Sequence, residues 1–427
     1  MFKRLITALG AVIVLALVAG GVYFIWFDRT TPMDPAISRA DGQDFAQIER
    51  GRYLTAAADC AACHDAPGGP ALSGGRPIET PFGIILAPNI TPDPETGIGA
   101  WSDADFDAAV RDGKRRDGTL LYPAMPFPNY TKMSHEDILA IRAYLKTLAP
   151  VRNAVVANQL PFPFDIRASM RLWDALYFEN GEFKPDPAKS AAWNRGAFLV
   201  EGPGHCGACH TPKTWLGGDE KSETFQGYQI QGWFAPDITS DERRGLGGWS
   251  VDDIVAYLRS GHNRIAAATG PMAEEVALSS SRMTEADLVG IATYLKDQPP
   301  RTDAVAPLAS NDPQMKAGGA IYRDVCSGCH AIDGKGVPEL FPALASSSSV
   351  RSDDPTSLIR VILRGARSVA TATEPTAPAM PAFGWQLDDE QLASVVTYIR
   401  NSWGSSAPAV SADTVRQIRA ALAFRSD

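Results

Sequence analysis

The sequence has no cysteine to spare. All six fall in three copies of one pattern, Cys60-Ala-Ala-Cys63-His64, Cys206-Gly-Ala-Cys209-His210 and Cys326-Ser-Gly-Cys329-His330. That usage excludes a structural disulfide framework and a lone nucleophilic thiol. A basic excess is also missing: 40 Lys and Arg face 49 Asp and Glu, for a net charge of −9. Nucleic acid, which demands a basic footprint, is therefore excluded as a partner. No strand-rich segment and no alternating βα pattern occurs, which leaves an all-α reading. Long apolar runs are scarce too, and only one is long enough to cross a bilayer.

That run extends from Leu5 to Phe27, preceded by Lys3 and Arg4 and ended by Asp28 and Arg29. Its length matches the ~20 residues of a transmembrane helix. The positive flank is expected to stay inside while the rest of the chain is exported. A cleaved signal peptide is the rival reading, with Ala19-Gly20-Gly21 as a cleavage site. The apolar stretch continues past it through Trp26 and Phe27, which favours an uncleaved anchor over residues 5–27.

What the sequence does hold is a repeat. A glycine and an aromatic precede each motif: Gly51 with Tyr53, Gly196 with Phe198, and Gly318-Gly319 with Tyr322. Ala87-Pro88-Asn89-Ile90-Thr91 is answered by Ala235-Pro236-Asp237-Ile238-Thr239, and Trp101-Ser102 with Asp105 by Trp249-Ser250 with Asp253. Helix endings follow at Arg111 and Gly113, at Arg259 and Gly261, and at Arg364-Gly365. Each repeat closes on an amphipathic helix with a capped start, at Ser134, Thr284 and Asp388. The apolar stripes are Ile138, Ile141, Leu145 and Leu148, then Leu288, Ile291 and Leu295, then Leu392, Val395, Val396 and Ile399. Self-similarity of this kind fixes the architecture. The expected layout is the anchor, a first domain over 45–150, a linker over 151–188, a second domain over 189–300, a third over 312–404, and a tail over 405–427. The linker, with Leu160-Pro161-Phe162-Pro163-Phe164 and Trp173 to Phe183, is too apolar for a loose tether and is expected to pack.

Two cysteines three apart share one face of a helical turn, where both reach the vinyl groups of one porphyrin. The adjacent histidine presents its imidazole to the iron, so each motif is an attachment site for c-type haem. Zinc sites pair separate cysteine motifs or distant histidines, and thioredoxin-like pairs lack the adjacent histidine. Three covalently bound haems c follow, on Cys60 and Cys63, Cys206 and Cys209, and Cys326 and Cys329, with His64, His210 and His330 as iron ligands.

For the sixth ligand each repeat offers one methionine in a proline-stiffened loop: Met125-Pro126, Pro271-Met272 and Met380-Pro381. A thioether opposite histidine raises the reduction potential and suits an electron carrier. The intervals from histidine are 61, 62 and 50 residues, the first two nearly equal, as a duplicated ligand should be. His262 lies on the same loop as Met272 and competes with it. Met133 and Met283 read as core filler, His135 as a solvated first-turn residue, and His205 as a neighbour of the haem edge. The carbonyls of Pro88, Pro236 and Pro342 are expected to fix the ligating imidazoles. Arg111, Arg259 and Arg364 are the propionate candidates, with plain surface exposure as the alternative.

His205-Cys206-Gly207-Ala208-Cys209-His210-Thr211-Pro212, preceded by Trp193-Asn194-Arg195-Gly196, resembles the triheme cytochrome subunits of bacterial membrane-bound dehydrogenases. Thr80-Pro81-Phe82-Gly83, Pro88-Asn89-Ile90-Thr91-Pro92-Asp93 and Tyr122-Pro123-Ala124-Met125-Pro126 resemble the same family, over about Ile48 to Trp403. The resemblance implies three tandem class I cytochrome c-like domains in the periplasm, held at the inner membrane. It also implies a catalytic partner of quinoprotein, flavoprotein or molybdenum type that oxidises alcohols, aldehydes or sugars. Electrons would pass to ubiquinone or a terminal oxidase, and this chain would carry no substrate chemistry. The alternatives are a free-standing membrane cytochrome shuttling electrons to an oxidase and, in a different class, a haem peroxidase, which needs an iron with a displaceable ligand.

Overall fold

A computed structural model describes residues 14–15, 33–34, 36–37, 39–301 and 305–423. Apart from Val14 and Leu15, the apolar run read as an anchor lies outside the described residues. Among the described residues no helix is long and apolar enough to cross a membrane.

The first repeat comprises α1 (Phe45–Ala57), α2 (Cys60–His64), α3 (Asp103–Asp112), α4 (Phe127–Tyr130) and α5 (His135–Lys146), with strands β1 (Pro77–Thr80) and β2 (Gly83–Leu86) between α2 and α3. After a connecting helix, α6 (Met170–Tyr177), the second repeat has α7 (Ala191–Glu201), α8 (Gly207–His210), β3 (Tyr228–Ile230), β4 (Trp233–Ala235), α9 (Val251–Ser260), α10 (Pro271–Leu278) and α11 (Glu285–Lys296). The third has α12 (Pro313–Ile321), α13 (Ser327–His330), α14 (Ser348–Arg351), α15 (Thr356–Arg364), β5 (Ala366–Arg367), β6 (Ala379–Met380) and α16 (Asp389–Arg400), followed by α17 (Ala412–Leu422).

The chain is largely helical, but the all-α reading needs one correction. Among the described residues three antiparallel hairpins join β1 to β2, β3 to β4 and β5 to β6. Strands this short carry no usable alternation, so sequence periodicity passes over them. The β3–β4 turn is Gln231-Gly232, with φ of 50° and 73°, the double positive-φ turn that suits a tight hairpin.

In each repeat the opening helix crosses the closing helix, and the motif glycine explains how closely. A Cβ on Gly51 would land on the Ala140 carbonyl, one on Gly196 on the Gly290 carbonyl, and one on Gly318 on the Ser394 carbonyl. The crossings therefore bring backbone against backbone. Around them lie separate apolar cores: Leu54 with Ile138, Ile141 and Leu145; Leu199 with Leu288, Ile291 and Leu295; Tyr322 with Leu392, Val395, Val396 and Ile399. Each such side chain contributes about 1.5–3 kcal/mol on burial. Capping boxes start α3, α9, α5 and α16, and Gly113 and Gly261, both left-handed, end α3 and α9.

The connecting segment packs as its composition requires. Trp173 and Phe178 are buried against Phe127 of the first repeat, and Trp173 Nε1 donates to the Leu216 carbonyl of the second at 3.1 Å. The described part of the tail packs too. Ser411 caps α17, whose Val415 and Leu422 enter the third core while Arg419 Nε bonds Asp389 at 2.8 Å.

Candidate haem-binding site

Each motif occupies one short helical turn. Cys60, Cys63 and His64 lie on α2; Cys206 caps α8, which carries Cys209 and His210; Cys326 precedes α13, which carries Cys329 and His330. The first two turns are entered through a left-handed residue, Asp59 at φ 49° and His205 at φ 36°. In the third repeat the chain instead runs on through a π-helical turn, Tyr322–Cys326. All six thiols are unbridged. Burial pushes the thiols of Cys60, Cys63 and Cys206 up to about 12, and those of Cys209 and Cys326 to about 11.

The histidines are fixed as expected. Nδ1 donates to the Pro88 carbonyl at 2.7 Å in His64, to that of Pro236 at 2.6 Å in His210, and to that of Pro342 at 3.1 Å in His330. A carbonyl can only accept, so the proton resides on Nδ1 and Nε2 keeps its lone pair. Burial depresses the pKa of all three imidazoles, with the proline carbonyl acting in the opposite sense. A neutral ring with a fixed tautomer and a free Nε2 is what an iron ligand requires.

A largely apolar cavity of about 2070 Å³ is lined by both of the first two motifs, His64 and His210 included. That is about twice the upper range of an ordinary small-molecule site, ~1,000 Å³. Met125 and Met272 line it too, each in the repeat of its histidine. His262 does not; its Nδ1 lies 3.3 Å from Glu339 Oε2 in the third repeat. Met380, at the end of β6, is half-buried against the third core. In the first two repeats paired thiols, a free Nε2 and an apolar enclosure together fit covalently attached haem; the third motif, which does not line this cavity, shares the thiol pair and the oriented imidazole. Met133 is wholly buried and Met283 packs on the second core, both as filler.

Two readings are corrected. His135 is buried, not solvated: its Nδ1 lies 2.8 Å from Asp107 Oδ1, with Arg111 against the ring. Arg111 is itself only 2% exposed and spends its charge there and on Glu182. Neither it nor Arg259 lines the cavity, and Arg364 donates to the Leu422 carbonyl of α17. The basic side chains that do line the cavity include Arg76, Arg115, Arg167 and Lys213. The sequence alone does not mark a half-buried acidic group in the lining: Asp59, Glu274 and Glu275, with Arg76 Nη2 bonded to Glu274 Oε2 at 2.8 Å. No periodicity or motif marks these residues, because the fold assembles them from two repeats.

The chain is 39% identical over 400 residues to the gluconate 2-dehydrogenase cytochrome c subunit of Pantoea cypripedii, covering 89% of this chain and 91% of that relative. It belongs to the family of dehydrogenase cytochrome c subunits. The alcohol dehydrogenase (quinone) cytochrome c subunit of Gluconobacter oxydans is 38% identical over 405 residues, covering 90% and 84% of the two chains. The fructose dehydrogenase cytochrome subunit of Gluconobacter japonicus is 37% identical over 423 residues, covering 92% and 86%. The general cytochrome c pattern matches this cytochrome at residues 48–149 and 315–403, which hold the first and third motifs. The chain is thus an electron-transfer subunit, and catalysis resides on a partner.

Proposed function

We propose that this cytochrome carries three haems c in three tandem domains and relays electrons from the catalytic subunit of a periplasmic dehydrogenase to ubiquinone or a terminal oxidase. Its axial pairs are His64 with Met125, His210 with Met272, and His330 with Met380, and residues 5–27 anchor it in the inner membrane. When bound, haem supplies a one-electron iron couple. The chain's own work is to hold it: six thiols for attachment, three oriented imidazoles, and apolar walls that exclude water and favour the less charged reduced iron.

One observation carries the reading. Each of the three motif histidines donates through Nδ1 to a proline carbonyl, so the same ligand geometry recurs three times. The 37–39% identity to dehydrogenase subunits over most of the chain supports a fixed catalytic partner. The test is a mild-detergent pull-down of the tagged native protein, with haem content and co-purifying chains both measured. Three haems per chain and a quinoprotein, flavoprotein or molybdenum subunit in fixed ratio are expected. Isolation alone, or with an oxidase, would overturn the dehydrogenase role in favour of a shuttle.

A further inference from the structure

We propose that His205 is a positioning residue that sets the separation and mutual orientation of the first two haem sites. The inference rests on the reading that both motifs carry haem. His205 immediately precedes Cys206, and Ala58 lies two residues before Cys60. These neighbours of the two attachment points are joined through Tyr130. The Ala58 carbonyl accepts from Tyr130 Oη at 2.6 Å. The His205 and Tyr130 rings stand edge to face, their centroids 5.7 Å apart. Tyr130 thus ties a carbonyl of its own repeat, next to the first attachment turn, to the imidazole that opens the second.

The bridge is stiff at both ends. Ala58 closes α1, its N–H donating to the Leu54 carbonyl at 2.8 Å. Tyr130 is buried on α4, the turn that directly follows Met125-Pro126. Asn129 of the same turn donates to the Glu201 carbonyl at the end of α7, at 2.9 Å. Asp59 and His205 both hold left-handed backbone, which non-glycine residues keep only where the surroundings over-determine it. Burial pushes His205 down to about 4, so the ring is neutral at physiological pH and adds no charge between the two sites. The third repeat is joined elsewhere, through Ser348 on the Gly245 carbonyl and Arg360 over Trp233, so the bridge is particular to the first pair.

The test compares the full-length holoprotein with His205→Ala, His205→Gln and Tyr130→Phe. Haem content is measured first. Soret-region circular dichroism and ferric spin coupling then report the geometry between the first two haems, and flash reduction reports one-electron equilibration between them. The expected result is three haems in every variant. In His205→Ala the dichroic couplet and spin coupling shrink and equilibration slows about tenfold, the scale of a small misplacement. His205→Gln, which keeps a planar polar group against the Tyr130 ring, restores most of both, and Tyr130→Phe, which keeps the ring and loses the bond to Ala58, falls between. Unchanged couplet, spin coupling and rate in His205→Ala overturn the proposal. Should that variant fail to mature, an unchanged Tyr130→Phe overturns it alone. Fewer than three haems in the wild type would instead defeat the reading on which it rests.

Discussion

Arg195 holds Asp287 by two hydrogen bonds of 2.8 Å, one to each carboxylate oxygen. The pair ties α7 to the first turn of α11, as Arg50 Nε and Asp137 tie α1 to α5 at 3.0 Å. Tyr53 of the first repeat donates to the same Asp287 carboxylate at 2.5 Å, so one acid joins a helix crossing to the contact between repeats. Electrostatic matching and repeat assembly are therefore not separable at this point.

Asp287→Ala leaves Arg195 and Tyr53 without their acceptor and is expected to cost about 2 kcal/mol, against about 1 kcal/mol for Tyr53→Phe. Denaturant unfolding of both and of the double variant checks this. In the double variant Tyr53→Phe should add only the loss of the longer Thr284 N–H bond to Tyr53 Oη, 3.2 Å; fully additive losses would mean that Tyr53 does not act through Asp287. Burial raises the Asp287 pKa, but the Arg195 and Tyr53 bonds outweigh it and leave the group below the usual carboxylate value. A depressed folded pKa gives stability that is present at neutral pH and lost as pH falls through that value.

The helix crossings make a sharper demand. Gly196→Ala and Gly318→Ala each drive a methyl into a backbone carbonyl, which cannot swing aside as a side chain would. The helices must part, at a cost of about 3 kcal/mol. Gly248→Ala, at an exposed site with open space around the new methyl, should fall within about 0.5 kcal/mol of wild type. Thermal unfolding separates the two classes, and equal effects at Gly196 and Gly248 would refute the close-crossing account.

Much of this architecture was legible because the sequence writes it more than once. Cys60 to His64 and its two counterparts specify their chemistry locally, and the stripe from Ile138 to Leu145 specifies a buried face. Pro88, Pro236 and Pro342 could be matched to the histidines because each follows its motif in the chain. What escaped depends on contacts between distant segments. His135 follows a helix cap, where solvation is the ordinary outcome, and only the folded chain brings Asp107 and Arg111 to it. The hairpins are too short to show a period. The Asp59, Glu274 and Glu275 group is split between two repeats, so neither part signals alone.

Glu275 gives this group a measurable consequence. It lines the cavity beside Ser280, whose Oγ lies 2.9 Å from its Oε2, and burial pushes its pKa up from 4.5 to about 7. A raised folded pKa stabilises the fold below the unfolded value, and that contribution is lost as pH rises through the folded one. Wild type should therefore lose about 3 kcal/mol relative to Glu275→Gln as pH climbs from about 4.5 to about 7, then run parallel to it. Paired unfolding curves across that range decide the matter. A constant difference between the two proteins would show that Glu275 titrates normally.

The rival ligands of the second repeat make opposite forecasts. Met272 lines the cavity with His210, while His262 stands outside that lining with its Nδ1 toward Glu339. A thioether favours reduced iron, so its loss lowers the potential of the haem it serves and abolishes the sulfur-to-iron charge-transfer absorption of that haem. Met272→Ala should shift a single midpoint potential downward and leave any others in place. His262→Ala should move none of them appreciably, because it removes a contact with the third repeat and no iron ligand. Spectroelectrochemical titration of both variants reads this directly. If His262→Ala instead shifts a potential while Met272→Ala leaves every haem unchanged, the histidine is the ligand and the parallel between the first two repeats breaks at the iron.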